Sequence, residues 1–215
     1  MSEALIIFAR EPIHGRVKTR LALGTDAGKA TAVYTALLEH TIETARATGV
    51  ETMISLAGEP TAIWASGLGV PFEVQSGGDL GIRMAECFDR RFFKGLDRVV
   101  IIGSDNARLQ PGHIRSAFAS LEDEPVVLGP AEDGGYWLVG QQSPGIDLFT
   151  GVPWSSPNTL EVTRERLKSL DARWKELEIL LDIDTVEDLQ SAISDPRVSE
   201  HLRRKLTSAL TNSEQ

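Results

Sequence analysis

Four cationic side chains fall within eleven residues near the start of the chain, in Arg10-Glu11-Pro12-Ile13-His14-Gly15-Arg16-Val17-Lys18-Thr19-Arg20. With Glu11 as its only acid, this segment is locally +3 inside a chain whose formal net charge is −9. Guanidinium groups bind phosphate oxygens bidentately, and a lysine ammonium is a compact point charge for an accumulating negative group. Gly15 would let backbone approach such a ligand closely. The segment is expected to hold phosphates; the competing reading is a solvated loop whose cations pair with surface carboxylates. It is not a Walker loop, because the G-x-x-x-x-G-K-[ST] spacing is absent.

Acids recur at the points where a cation would be needed. Asp105 follows the apolar run Ile101-Ile102 after Gly103-Ser104, and a carboxylate there could hold Mg²⁺ or Mn²⁺ against a diphosphate. Ser-Asp-Asn is also ordinary turn chemistry. Leu180-Leu181-Asp182-Ile183-Asp184-Thr185 offers two more acids. Only one of the two is expected to share a site with Asp105, and Asp184 or Thr185 could equally cap a helix. Asp133 precedes two glycines, as a turn residue would. Asp79 could cap a helix while Arg83 meets a ligand or a neighbouring acid, and Trp154 reads as core or as a platform beside a pocket. Asp79, Arg83 and Trp154 stay among the candidate substrate-binding residues. His14, His40, His113 and His201 lack metal-ligand spacing, Cys87 reads as a small buried hydrophobe, and Ser155-Ser156 has no G-x-S-x-G context.

These residues need a scaffold, and the composition allows one. The 215 residues are 41% hydrophobic and 25% charged, with 22 Lys plus Arg against 31 Asp plus Glu and a pI near 5.0. That balance excludes coating of nucleic acid or of an anionic membrane, and the single cysteine excludes an internal disulfide. Met1-Ser2-Glu3 and the short run Ala4–Ala9 do not form a leader, and no apolar run approaches roughly 18 residues. The expectation is a cytoplasmic protein of one domain over 1–215, with 211–215 a frayed tail.

Ala4–Ala9 predicts a buried strand. A helix capped by Asp26 should run to about Thr48, followed by a strand over Glu51–Ala57, a weak helix near Ala62–Ser66, a strand at Phe72–Gln75 and a helix from Leu80 to Phe93. Arg98–Ile102 predicts a second buried strand, Pro111 opens a helix carrying Ile114, Phe118 and Leu121, and Val126–Leu128 adds a strand. Asp133-Gly134-Gly135 before Tyr136–Val139 suggests an antiparallel pairing. A helix near Thr159–Leu170, an edge strand near Leu177–Leu181 and a capping box at Thr185–Asp188 complete the series. This alternation implies an α/β fold with a mixed, mostly parallel sheet flanked by helices.

The ordered pieces, Phe8–Pro12 with Gly15–Leu21, Gly78–Met84, Gly103-Ser104-Asp105, Gly129–Tyr136, Val152–Ser155 and Asp182–Thr185, together resemble the selenodomain-associated, glycosyltransferase-like transferases. The resemblance covers about Ala4 to Leu189. That family looks like a branch of the nucleotide-diphospho-sugar transferase, or GT-A, superfamily, which includes guanylyltransferases for phospholactate and molybdenum cofactor. It implies a Rossmann-like sheet binding an NTP or NDP-sugar with a divalent cation. Phe8, Ala9 and Arg10 would then border the base, Gly15, Arg16, Lys18 and Arg20 would hold phosphates, Asp105 and Asp184 would bind metal, and Asp133 would sit near the acceptor. Lys18, Asp105 and Asp133 are the catalytic candidates. Two departures concern loop shape: Asn106-Ala107 stand where Cys-Pro is common, and His14 where proline is.

Three functions follow as expectations. The first is metal-dependent transfer from a nucleotide-diphospho-sugar to a small acceptor. The second is nucleotidyl transfer with release of pyrophosphate. The third is a nucleotide-binding regulatory module without turnover.

Overall fold

The computed structural model describes residues 1–211; of the predicted tail, Thr211 ends a helix and 212–215 lie outside the described residues. Its strands are β1 (Glu3–Ala9), β2 (Thr52–Leu56), β3 (Phe72–Val74), β4 (Arg98–Ile102), β5 (Val126–Pro130), β6 (Tyr136–Gln142) and β7 (Trp174–Glu176). Interleaved with them are α1 (Thr19–Gly24), α2 (Ala27–Arg46), α3 (Ala62–Gly67), α4 (Leu80–Phe93), α5 (Pro111–Ser120), α6 (Thr159–Ser169), α7 (Val186–Ser194) and α8 (Glu200–Thr211).

The strands form one sheet in the order β3-β2-β1-β4-β6-β5-β7. Adjacent strands pair in parallel except on either side of β6, which runs against both β4 and β5. The Asp133-Gly134-Gly135 turn produces this reversal, as its composition predicts.

Alternate residues of β1 supply both faces, because side chains alternate along a strand. Leu5, Ile7 and Ala9 pack with Tyr34, Leu38 and Ile42 of α2 and with Ile114 and Phe118 of α5. Ala4 and Ile6 pack with Met84, Cys87 and Phe88 of α4 and with Leu160 and Leu167 of α6. Each fully buried side chain of this kind contributes about 1.5–3 kcal/mol. A further apolar layer joins α1, the outer face of α2, α7 and α8 through Leu21, Val33, Leu37, Ile183, Leu189, Leu202 and Leu206. Cys87 is fully enclosed, and burial pushes its thiol up to about 11. Among the described residues no helix is long and apolar enough to cross a membrane.

The structure corrects three sequence expectations. The last strand is Trp174–Glu176 rather than Leu177–Leu181: it pairs with β5 from Val126↔Trp174, and beyond it come isolated bridges, Ala131↔Leu180 and Asn106↔Asp182. Its Lys175 and Glu176 hid it from a search for apolar runs, and charges on an edge strand also block stray pairing. Helix α1 occupies what reads as loop. Helix α8, with Leu202, Leu206 and Ala209 buried along one side, lies in a stretch where no element was expected.

Candidate functional site

Strand order reverses its direction of growth between β1 and β4, which are hydrogen-bonded neighbours with Ile7 opposite Ile102. Ligands of open α/β sheets bind outside the carboxyl ends of strands at such a switch point. Ala9-Arg10 leave one of these ends and Gly103-Ser104-Asp105 leave the other. Tyr34 of α2 ties them together: the Arg10 amide donates to its hydroxyl at 2.8 Å, and Ser104 Oγ lies 3.2 Å away. Burial raises the pKa of this phenol.

The cleft above has a volume of about 660 Å³ and is lined by Phe8, Ala9, Arg10, Arg16, Lys18, Arg20, Gln75, Arg83, Asp105 and Asp184, among others. Lys18 is the most buried of the cations in this lining for which an ion pair is formed. Its Nζ is 2.9 Å from Asp105 Oδ1 and 3.0 Å from Asp184 Oδ1, and its side chain is only 4% exposed, whereas each aspartate is about 40% exposed. Burial disfavours the ammonium, but the two carboxylates outweigh it and raise the Lys18 pKa above the ordinary lysine range. The backbone of Lys18 is left-handed, with φ 48° and ψ 45°, a conformation that costs a residue with a Cβ about 1–3 kcal/mol and concentrates at functional sites.

The other cations face the cleft differently. Among the described residues, Arg10, Arg16 and Arg83 form no ion pair, and Arg20 reaches only Asp184 Oδ2, at 3.7 Å. Arg83 donates to Gln75 Oε1 at 2.9 Å, and Gln75 is anchored in turn through Nε2 to the Ser55 carbonyl. Burial is the main cause of the lowered Arg83 pKa, with Arg10 second.

A second pocket, of about 530 Å³, shares Arg20, Leu80, Asp105, Ser155 and Asp184 with the first and adds Asp133, Tyr136, Trp154 and Asp182. Trp154 packs edge-on to Tyr136, their centroids 6.3 Å apart. The loop that carries it is fitted to two glycines. A Cβ on Gly81 would lie 2.5 Å from the indole, and one on Gly134 (φ 86°) would collide with the Pro157 carbonyl. Ser155 in the same loop is left-handed, at φ 58°.

Both Asp182 and Asp184 line this second pocket, so the expectation that only one shares surroundings with Asp105 is corrected. Residues two apart in an extended segment point the same way. Asp182 accepts from Asn106 Nδ2 at 3.3 Å, and its carboxyl is pushed up to about 7 by burial first, then by the Asp105 charge.

Two further candidates lie elsewhere. Gly15 makes the turn before Arg16, at φ 72°, with open space where a Cβ would sit, and does not line the cleft. Asp79 accepts from the Ile82 amide at 2.9 Å as the cap of α4 and lines a separate depression behind Trp154. Asp133 binds the Gly135 amide at 2.9 Å, so it serves the turn while lining the second pocket. Tyr34 and Gln75 are not among the sequence candidates, and Asn106 enters there only as a turn residue and a departure in loop shape. Tyr34 sits on the apolar face of a helix, where only its hydroxyl hints at another role.

The donor set suits a hard cation. Asp105 and Asp184 direct oxygens at one point, already held by the Lys18 ammonium, so the pair is built around positive charge. No group of three or more His, Cys, Asp or Glu converges among the described residues. Two carboxylates are enough for Mg²⁺, which keeps waters and takes phosphate oxygens at its remaining positions.

Comparisons with solved structures agree with this architecture. A protein of Desulfovibrio desulfuricans G20, described as a candidate nucleotide-diphospho-sugar transferase, is 27% identical with a TM-score of 0.88 over 98% of both chains. A CMP:2-keto-3-deoxy-manno-octonic acid synthetase complexed with CTP is 14% identical with a TM-score of 0.59, over 89% of this chain and 96% of that one. A Mycobacterium tuberculosis H37Rv protein in complex with manganese is 17% identical with a TM-score of 0.52, over 89% and 98%. The last two likenesses concern the fold alone, which is the GT-A-like α/β fold of nucleotide-diphospho-sugar transferases and cytidylyltransferases. No curated protein matches the chain. Residues 38–156 match the family described as an uncharacterized protein conserved in bacteria, DUF2064, and the chain belongs to that family.

Proposed function

We propose that this chain is a metal-dependent transferase of the nucleotide-diphospho-sugar class, taking its donor nucleotide at the carboxyl ends of β1 and β4. One observation carries the reading. In a chain of net charge −9, Arg10, Arg16 and Arg83 have no carboxylate partner among the described residues and line the same cleft as Lys18, Asp105 and Asp184. Unpaired guanidiniums gathered in an acidic protein suit a polyanionic ligand.

In this reading Phe8, Ala9 and Arg10 border the base, while Arg16, Lys18 and Arg20 neutralise the phosphates. Asp105 and Asp184 hold a divalent cation, which supplies positive charge to the leaving phosphate. Trp154 is a platform for the acceptor, and Asp133 orients the acceptor hydroxyl and takes its proton. Work of this kind is positioning and charge stabilisation. In glycosyl transfer the acceptor oxygen attacks the sugar carbon and a nucleoside diphosphate leaves. The 27% identical relative favours this form. Nucleotidyl transfer, with attack on the α-phosphorus and loss of pyrophosphate, is the second reading, favoured by the five cations that line one cleft.

Thermal-shift measurements with NTPs and NDP-sugars, in Mn²⁺, Mg²⁺ or chelator, test the proposal. A ligand at 100 times its Kd stabilises the native state by about 2.7 kcal/mol, and a metal-dependent rise in Tm is expected. No shift with any nucleotide overturns the reading. Pyrophosphate or nucleoside diphosphate in the product then separates the two chemistries, and binding without either product identifies a regulatory module.

A further inference from the structure

Lys18 occupies the position that a cation shared by Asp105 and Asp184 would take. Its Nζ is 2.9 Å and 3.0 Å from the two carboxylate oxygens, and its side chain is 4% exposed. A divalent ion bound to the same oxygens would meet the ammonium at a few ångströms, where like charges repel strongly. The ammonium cannot simply withdraw, because a buried charge without a partner is costly. An anion held by Arg10, Arg16 and Arg83 in the same cleft is the partner that would release it.

Building on the nucleotide-transferase reading, we propose that Lys18 is the resident counter-ion of the Asp105–Asp184 pair and that a divalent cation enters only as nucleotide phosphates draw the ammonium away. Metal and nucleotide then load together, and the nucleotide-free protein keeps its metal site closed. By linkage, the cation strengthens nucleotide binding by the same factor that the nucleotide strengthens cation binding.

The test is titration of nucleotide-free, full-length protein with Mn²⁺ alone, following free Mn²⁺ by electron paramagnetic resonance. Lys18→Gln is expected to bind Mn²⁺ at least tenfold more tightly than wild type, about 1.4 kcal/mol. Lys18→Arg keeps the charge and is expected to stay as weak as wild type. Adding Asp184→Asn to Lys18→Gln should abolish the gain. Circular-dichroism melts in chelator establish that each variant is folded, with Lys18→Met as the substitute if Lys18→Gln is not.

Equal Mn²⁺ affinity in wild type and Lys18→Gln overturns the inference, as does absence of binding in both. Tight binding by Lys18→Arg, or a gain that survives Asp184→Asn, overturns it too. Mn²⁺ bound by wild type as tightly without nucleotide as with it, and lost in Asp184→Asn, does so without reference to any lysine variant. A protein whose Tm rises with nucleotide but which gives one of these results refutes this inference alone, whereas no nucleotide shift at all refutes the reading beneath it.

Discussion

Two ionic clusters are centred on opposite charges, a lysine in one and an aspartate in the other. In the cleft, one ammonium, Lys18, serves two carboxylates, Asp105 and Asp184, and the charges of Asp105 and Lys18 act on Asp182. Away from it, one carboxylate, Asp195, serves two guanidiniums, Arg108 and Arg197, the latter at 2.9 Å, and clasps the loop after β4 to the end of α7. The consequences have opposite sign. Hydrogen bonds from Arg197 hold the Asp195 carboxyl well below the usual carboxylate range, whereas burial pushes that of Asp182 up to about 7. A cluster that only fastens the fold surrounds its acid with cations. The cleft instead gathers two carboxylates about one buried ammonium, with Arg20 3.7 Å from Asp184 at its edge.

The comparison breaks first at Lys18. Lys18→Ala is expected to lower kcat/KM by about 10²-fold or more, the scale of a lost charge-stabilising group; unchanged kinetics would make the cleft cluster a surface ion pair like any other. Asp105→Asn should lose metal-supported turnover to a similar degree, about 10²-fold, with an unchanged circular-dichroism spectrum. Normal turnover by that variant would return Asp105 to the role of a turn residue.

The two perturbed aspartates sharpen the contrast through pH. Between its ordinary value of 3.8 and about 7, the native state keeps a proton on Asp182 that the unfolded chain has lost. Its contribution to stability therefore falls as pH rises through that window. In chelator, Asp182→Asn is expected to raise Tm by several degrees at pH 8 and to leave it nearly unchanged at pH 4. A flat difference across pH would contradict the assignment. Asp195 has the reverse sign: its contribution is present above the ordinary carboxylate range and is lost as pH falls towards its depressed value. Asp195→Ala should lower Tm by a few degrees at neutral pH and less at pH 3, with the nucleotide-induced shift unaltered. A weakened nucleotide response would show that the clasp also shapes the site.

Much of the scaffold was legible because its signals are local. Ala4–Ala9, Arg98–Ile102 and Leu80–Phe93 are continuous or periodic apolar patterns, and Asp26, Asp79 and Thr185 cap the helices they precede, each accepting from a backbone amide three residues on. Strand β7 and helix α8 escaped because their identity depends on neighbours: β7 is a charged edge that pairs with β5, and α8 is a short amphipathic segment whose apolar face packs on α2 and α7. The site was legible as a set of charges but not as a geometry. Asp79 caps α4, one of the roles its position offered, and Gly15 makes a turn, whereas Tyr34 joins the site from a helix with no motif and Asn106 from the position just after Asp105.

By itself the chain determined which charges exist, where apolar runs demand burial, and that the basic segment follows a buried strand, since each depends on composition and spacing along one dimension. The tertiary structure alone decided the pairing of Lys18 with partners 87 and 166 residues away, the grouping of Asp182 with Asp184, and the fit of Trp154 over Gly81. Those outcomes follow from strand order and the closing of distant loops over one strand end, which no local propensity encodes.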